Sequence, residues 1–84
     1  MSYAAEGLQS CDDVCHWLGQ LGEEYKTYIP DFMDNMVDGF WLLNYVNDAI
    51  LTHYGVTTLA HRQMILQQIE AIKNECIRKR SPKN

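Results

Sequence analysis

Gly55-Val56-Thr57-Thr58-Leu59-Ala60-His61-Arg62-Gln63-Met64-Ile65-Leu66-Gln67-Gln68-Ile69 is the stretch that decides the fold. Gly55 reads as the stop of one helix, and Thr57 or Thr58 as the start of the next. Apolar residues then recur at Leu59, Ile65 or Leu66, Ile69, Ile72 and Cys76, close to the 3.6-residue period of one helix face. The spacing predicts a helix of about 18–20 residues, the longest in the chain, which Ser81-Pro82 stops. The last residues beyond it are expected to fray.

Upstream, the elements are short. Asn47 caps a helix carrying Ile50, Leu51 and Tyr54, which Gly55 closes. Asp38-Gly39 signals a turn, followed by a short helix from Phe40 to Tyr45 with Leu42 and Leu43 facing inward. Thr27 is the expected N-cap of a helix with Pro30 in its first turn and Tyr28, Ile29 and Phe32 on its apolar side. Glu23 to Lys26 is a polar connection. The first helix starts at Ser10, whose spacing to Asp13 suits a capping box. It carries Val14, Trp17, Leu18 and Leu21 on one stripe, and Gly22 is read as its left-handed cap. No strand alternation, repeat or low-complexity run occurs. The prediction is an all-α fold, a compact five-helix bundle with a long C-terminal helix. Residues 1–9 form a lead-in, 10–77 the folded body and 78–84 a basic tail. Val14, Trp17, Phe32, Leu43, Leu51, Leu66 and Ile69 are expected to meet in one core.

The chain has 84 residues, enough for one domain with a limited core. No run approaches the roughly 20 apolar residues that span a bilayer, and Met1 to Gly7 lacks the pattern of a secretory signal. Three cysteines, an odd number, argue for reduced thiols, hence a cytoplasmic or nuclear location. The net charge of −4 hides a division. Residues 1–70 hold ten acids against two bases, a balance of −8; residues 71–84 hold five bases against one acid, a balance of +4. An acidic body repels phosphate backbones, which argues against nucleic acid as the partner.

The enzyme reading fails on the residues. There is no Gly-rich phosphate loop and no nucleophile elbow. Cys11, Cys15 and His16 do not follow a usual zinc spacing, and side chains of adjacent helical residues such as Cys15 and His16 diverge. No catalytic residue, metal ligand set or cofactor is expected.

The ordered motifs Trp17-Leu18, Leu21-Gly22, Tyr28-Ile29-Pro30-Asp31-Phe32, Val37-Asp38-Gly39, Leu42-Leu43, Gly55-Val56, His61-Arg62, Ile65-Leu66 and Ile69 resemble the sterile alpha motif (SAM) domains, from about Ser10 to Lys73. The chain departs from the family at three points. Gln9 stands where a Trp often precedes the first helix, so Leu8 is left to fill that space. The connection after Leu21-Gly22 is about two residues longer than usual. Ala60 replaces a Gly often found before the His-Arg pair.

The resemblance implies a protein–protein interaction module of a signalling or scaffold protein. Its partner would be another SAM domain, met through a mid-loop surface on one domain and an end-helix surface on the other. Repeated without closure, such a heterologous contact makes a filament, so a homo-oligomer or polymer is the near alternative. The alternative of another class is RNA or anionic lipid on the basic tail of Lys73, Arg78, Lys79, Arg80 and Lys83. Carried over by residue, the mid-loop surface takes Asp34, Asp38 and Asp48 as acids and Asn35 and Asn44 as polar rim. Phe40 and Trp41 follow the Gly, at positions partly exposed in the family, and Trp41 is the expected aromatic anchor. The end-helix surface takes Thr58, Leu59, Ala60, His61, Arg62 and Gln63, with Arg62 as a bidentate donor. The competing local roles are His61 seating the last helix against the first, and Arg62 in an ion pair within its own chain. With a single charged residue, the end-helix side is weakly basic, so a basic partner is at least as well favoured as self-polymerisation.

Overall fold

A computed structural model describes the backbone of residues 7–80 and the side chains of residues 7–75. Its elements are α1 (Cys11–Gln20), a 3-10 segment (Glu23–Tyr28), α2 (Ile29–Asp34), α3 (Gly39–Asn44), α4 (Asp48–His53) and α5 (Leu59–Arg80). Among the described residues there is no strand, and the five α-helices with a long last one match the expected bundle. Ser81-Pro82, the tail end and the first six residues lie outside the described residues, as do the side chains of Cys76, Arg78, Lys79 and Arg80.

α1 starts as its sequence dictates. Ser10 Oγ accepts the Asp13 N–H at 3.1 Å and Asp13 Oδ2 accepts the Ser10 N–H at 3.1 Å, a complete capping box. Asp13 also accepts the Gln9 N–H, and these backbone donors hold its carboxyl below the usual carboxylate range. The charged form is thus the one that supports the helix. Its contribution is present above the ordinary carboxylate pKa and fades as the pH falls through the lowered value. The end of α1 departs from expectation. Leu21 closes it in a right-handed conformation, and Gly22 takes φ 153° and ψ 161°, not a left-handed cap. That extended backbone, rarely open to other residues, feeds directly into the 3-10 segment, where the Tyr25 N–H bonds the Gly22 carbonyl at 3.1 Å. α2 then continues from the 3-10 segment with Tyr28 at its N-cap and no side-chain cap, so Thr27 does not cap it; Pro30 does sit in the first turn.

The core comprises Leu8, Val14, Trp17, Leu18, Phe32, Val37, Leu42, Leu51, Val56, Ile65, Ile69 and Ile72, with Tyr25, Tyr28 and Tyr54 at its margin. Leu43 and Leu66 only pack against it; the fully buried members of those pairs are Leu42 and Ile65. The cause is register: helical neighbours diverge by about 100°, and on α3 and α5 the rotation turns Leu42 and Ile65 inward and leaves Leu43 and Leu66 at the flank. Leu59, predicted to begin the apolar stripe of α5, is instead exposed. Leu8 fills the space left by Gln9 and is buried. It also explains Gly39. A Cβ on Gly39 would lie 1.5 Å from the Leu8 carbonyl oxygen, while the Gly39 N–H bonds the Gln9 carbonyl at 3.2 Å. Close backbone approach, not an unusual φ, is what demands glycine there.

Candidate protein-interaction surface

Two turns carry the candidate surfaces, and both use the same closing motif. At the end of α2, the Val37 N–H bonds the Phe32 carbonyl at 3.0 Å and the Met36 N–H bonds the Met33 carbonyl at 3.0 Å. At the end of α4, the Val56 N–H bonds the Leu51 carbonyl at 2.9 Å and the Gly55 N–H bonds the Thr52 carbonyl at 3.0 Å. Both are Schellman closures, in which the residue after the cap must be left-handed. In α4 that residue is Gly55, φ 92°; in α2 it is Met36, φ 53°. Val37 and Val56, one residue further on, are fully buried, which anchors each turn to the core.

The α2–α3 turn leads into an exposed apolar face. Met36 is 74% exposed, Phe40 65%, Tyr45 49% and Trp41 39%. The Trp41 and Tyr45 rings lie 4.6 Å apart between centroids at 35°, and Phe40 meets Tyr45 edge-on at 5.9 Å. Phe40, not Trp41, is the more open of the adjacent pair. Trp41 is turned inward because its Nε1–H donates to the Tyr54 hydroxyl at 3.0 Å. Asp34, the last residue of α2, is exposed, and Asp38 Oδ1 accepts the Trp41 N–H at 2.8 Å as the α3 cap. The Asn35 and Asn44 amides donate back to the Asp31 and Phe40 carbonyls at 2.7 and 2.8 Å, so part of their bonding capacity is spent locally.

The start of α5 is arranged differently. Arg62 Nε donates to Asp48 Oδ1 at 2.7 Å and Nη1 donates to the Val56 carbonyl at 3.0 Å. The Arg62 side chain is only 15% exposed. The two residues expected on opposite surfaces, Asp48 and Arg62, are thus joined within one chain, the local ion-pair alternative for Arg62. His61 packs on the 3-10 segment: its Nδ1 lies 2.6 Å from the Tyr28 hydroxyl, and its ring centroid is 4.7 Å from that of Tyr25. Burial there pushes the Tyr25 hydroxyl pKa up. Thr58, Leu59, Ala60 and Gln63 remain exposed beside them.

Sequence reasoning missed Tyr45 and Met36. Tyr45 stands four residues after Trp41, the spacing that brings helical side chains together, so that contact had a readable signal. Met36 had none, because the position it occupies ordinarily takes glycine.

Elsewhere, an open groove lined by Cys15, His16, Gly19, Gln20, Lys26 and Ile29 lies between α1 and the 3-10 segment. Burial raises the Cys15 thiol above its ordinary pKa, the reverse of an activated nucleophile. Among the described residues no group of His, Cys, Asp and Glu is placed to hold a metal ion, and no helix is long and apolar enough to cross a membrane.

Residues 8–73 match the family described as SAM domain (Sterile alpha motif). The chain belongs to this family, a family of protein-interaction modules. The match begins at Leu8, whose carbonyl lies against Gly39. The NAD(+) hydrolase tir-1 of Caenorhabditis elegans is 28% identical over 64 residues, which cover 76% of this chain and 6% of that protein. So small a share of that protein carries no enzymatic activity over to this SAM domain. No solved structure gives a significant match.

Proposed function

We propose that this SAM domain is a non-catalytic interaction module that binds another SAM domain through the face formed by α2, α3 and the start of α4. The observation that carries the reading is the exposed Phe40–Tyr45–Trp41 cluster on a helix capped by acidic Asp38. Clustered aromatics at a polar rim are typical of binding hot spots. Asn35, Asn44 and Asp48 form the rim of that face. On the α5 side, Thr58, Leu59, Ala60 and Gln63 are available for contact, while His61 and Arg62 hold the surface in shape. A signalling or scaffold protein in the cytoplasm or nucleus is the setting that suits such a module.

The internal Arg62–Asp48 pair disfavours a charge-driven homopolymer, because the α5 start has spent its arginine. The test is a titration of the labelled chain against a panel of isolated SAM domains and against itself, with Phe40→Asp and Asp34→Lys beside the wild type. Saturable binding to one panel member, lost in Phe40→Asp with unchanged circular dichroism, supports the proposal. Binding confined to oligonucleotides or anionic vesicles, or no response from any SAM domain, overturns it.

A further inference from the structure

The aromatic rings stand on α3, yet the bond that orients Trp41 comes from the end of α4. Trp41 has a single side-chain donor, and the Tyr54 hydroxyl takes it. That hydroxyl can orient a neighbour only because Tyr54 is itself held. Its ring is buried and meets Phe32 edge-on at 5.5 Å between centroids. Its N–H bonds the Ile50 and Leu51 carbonyls at 2.9 and 3.1 Å, within the closure of α4. At six residues, α4 is far below the length at which a helix holds alone in water, and it packs on α5. Arg62 of α5 grips it on either side. Nε bonds Asp48, the first residue of α4, and Nη1 bonds the carbonyl of Val56, two residues beyond Tyr54. A guanidinium can serve both acceptors because its donors form a rigid fork, which an ammonium lacks. The links run in series: Arg62 to α4, α4 to Tyr54, Tyr54 to Trp41.

Resting on the reading of the α3 rings as the interaction surface, we propose that Arg62 is a positioning residue for that surface. Its own bonds go to Asp48 and Val56, and it fixes Trp41 through α4 and the Tyr54 hydroxyl. An arginine that merely strengthened the α4–α5 corner would leave Trp41 unmoved when replaced.

The experiment follows solvent exchange of the indole N–H groups by NMR in the isotope-labelled chain. There are two, from Trp17 and Trp41. Trp41→Phe assigns them, and buried Trp17 reports general loosening. Tyr54→Phe removes the acceptor and is expected to speed Trp41 exchange about 5–10-fold, the worth of one net hydrogen bond. Arg62→Lys keeps a charge for Asp48 but gives up the fork; it is expected to speed Trp41 exchange about 2–3-fold and leave Trp17 as in wild type. In the Tyr54→Phe/Arg62→Lys double variant exchange is no faster than in Tyr54→Phe, because links in series do not add. Wild-type exchange at Trp41 in both Arg62→Lys and Arg62→Ala overturns the proposal; where Arg62→Ala fails to fold, Arg62→Lys decides. An equal rise at Trp17, or additive effects in the double variant, also overturns it. The SAM domain that binds in the titration above should lose about 2–5-fold in affinity for Tyr54→Phe. If that affinity is unchanged while Phe40→Asp abolishes binding, the positioning role falls and the surface stands. If Phe40→Asp leaves binding intact, the surface reading falls first and this proposal with it.

Discussion

The turns after α2 and after α4 share one hydrogen-bond pattern and make opposite choices within it. The α4 turn puts Gly55 at the left-handed position and is followed by Arg62, which reaches back to Asp48 and Val56. Its geometry is relaxed and its charges are locally answered. The α2 turn puts Met36 at the equivalent position and is followed by rings that stand in solvent. It accepts backbone strain and leaves apolar surface uncovered. A left-handed non-glycine residue persists only when its surroundings enforce it, and such residues gather at functional sites. The difference separates a turn tied down by an internal ion pair from a turn that leaves its rings in solvent.

Five substitutions press on this contrast. Gly39→Ala gives the largest effect, because a Cβ there collides with backbone that has no rotamer to escape by. We expect a loss of about 3–4 kcal/mol in denaturant unfolding, enough to threaten a domain of this size. Gly55→Ala follows, at about 1–2 kcal/mol, the cost of a left-handed L-residue; its Cβ would also stand 3.1 Å from an Asp31 carboxylate oxygen. A Gly55→Ala variant as stable as wild type would erase the claim that the α4 turn is the relaxed one. Arg62→Ala should cost about 1–2 kcal/mol through the lost carbonyl and carboxylate bonds. Asp48→Ala should cost about 0.5 kcal/mol, being the exposed half of the pair. Equal losses for the two would mean that the Val56 contact contributes little. Met36→Gly should be the one substitution that stabilises, by about 0.5–1 kcal/mol once the entropy of glycine is set against the relief of strain. Thermal unfolding reads the gain, and partner titration should show weaker binding in the same variant. A destabilised Met36→Gly would show that the methionine serves packing instead of display.

Local chemistry was legible before any coordinates. The Ser10–Asp13 box, the Asn47 cap, Pro30 in a first turn and the Gly55 stop each depend on residues within a turn of one another, and each is present. Features that depend on the third dimension were not. Whether Leu42 or Leu43, and Ile65 or Leu66, faces inward depends on a helix rotation that adjacent apolar pairs leave open. Gly22 was misread because a glycine after a helix permits several conformations, and the 3-10 segment that follows selects an extended one. For the candidate surface, the aromatic pair was visible in the sequence, but its order of exposure turned on the Trp41–Tyr54 bond between two helices. The Arg62–Asp48 pair spans the α4–α5 corner in the same way. Both are contacts between side chains that no periodicity relates.

The stacking of Leu8 beneath Gly39 has a practical corollary for anyone handling this molecule. The Leu8 carbonyl lies against Gly39, the residue before Phe40, so a fusion joined at Leu8 would start beside the first residue of α3. α5 runs on to Arg80. Reporter proteins and immobilisation tags therefore belong at the C-terminal side when association is being measured.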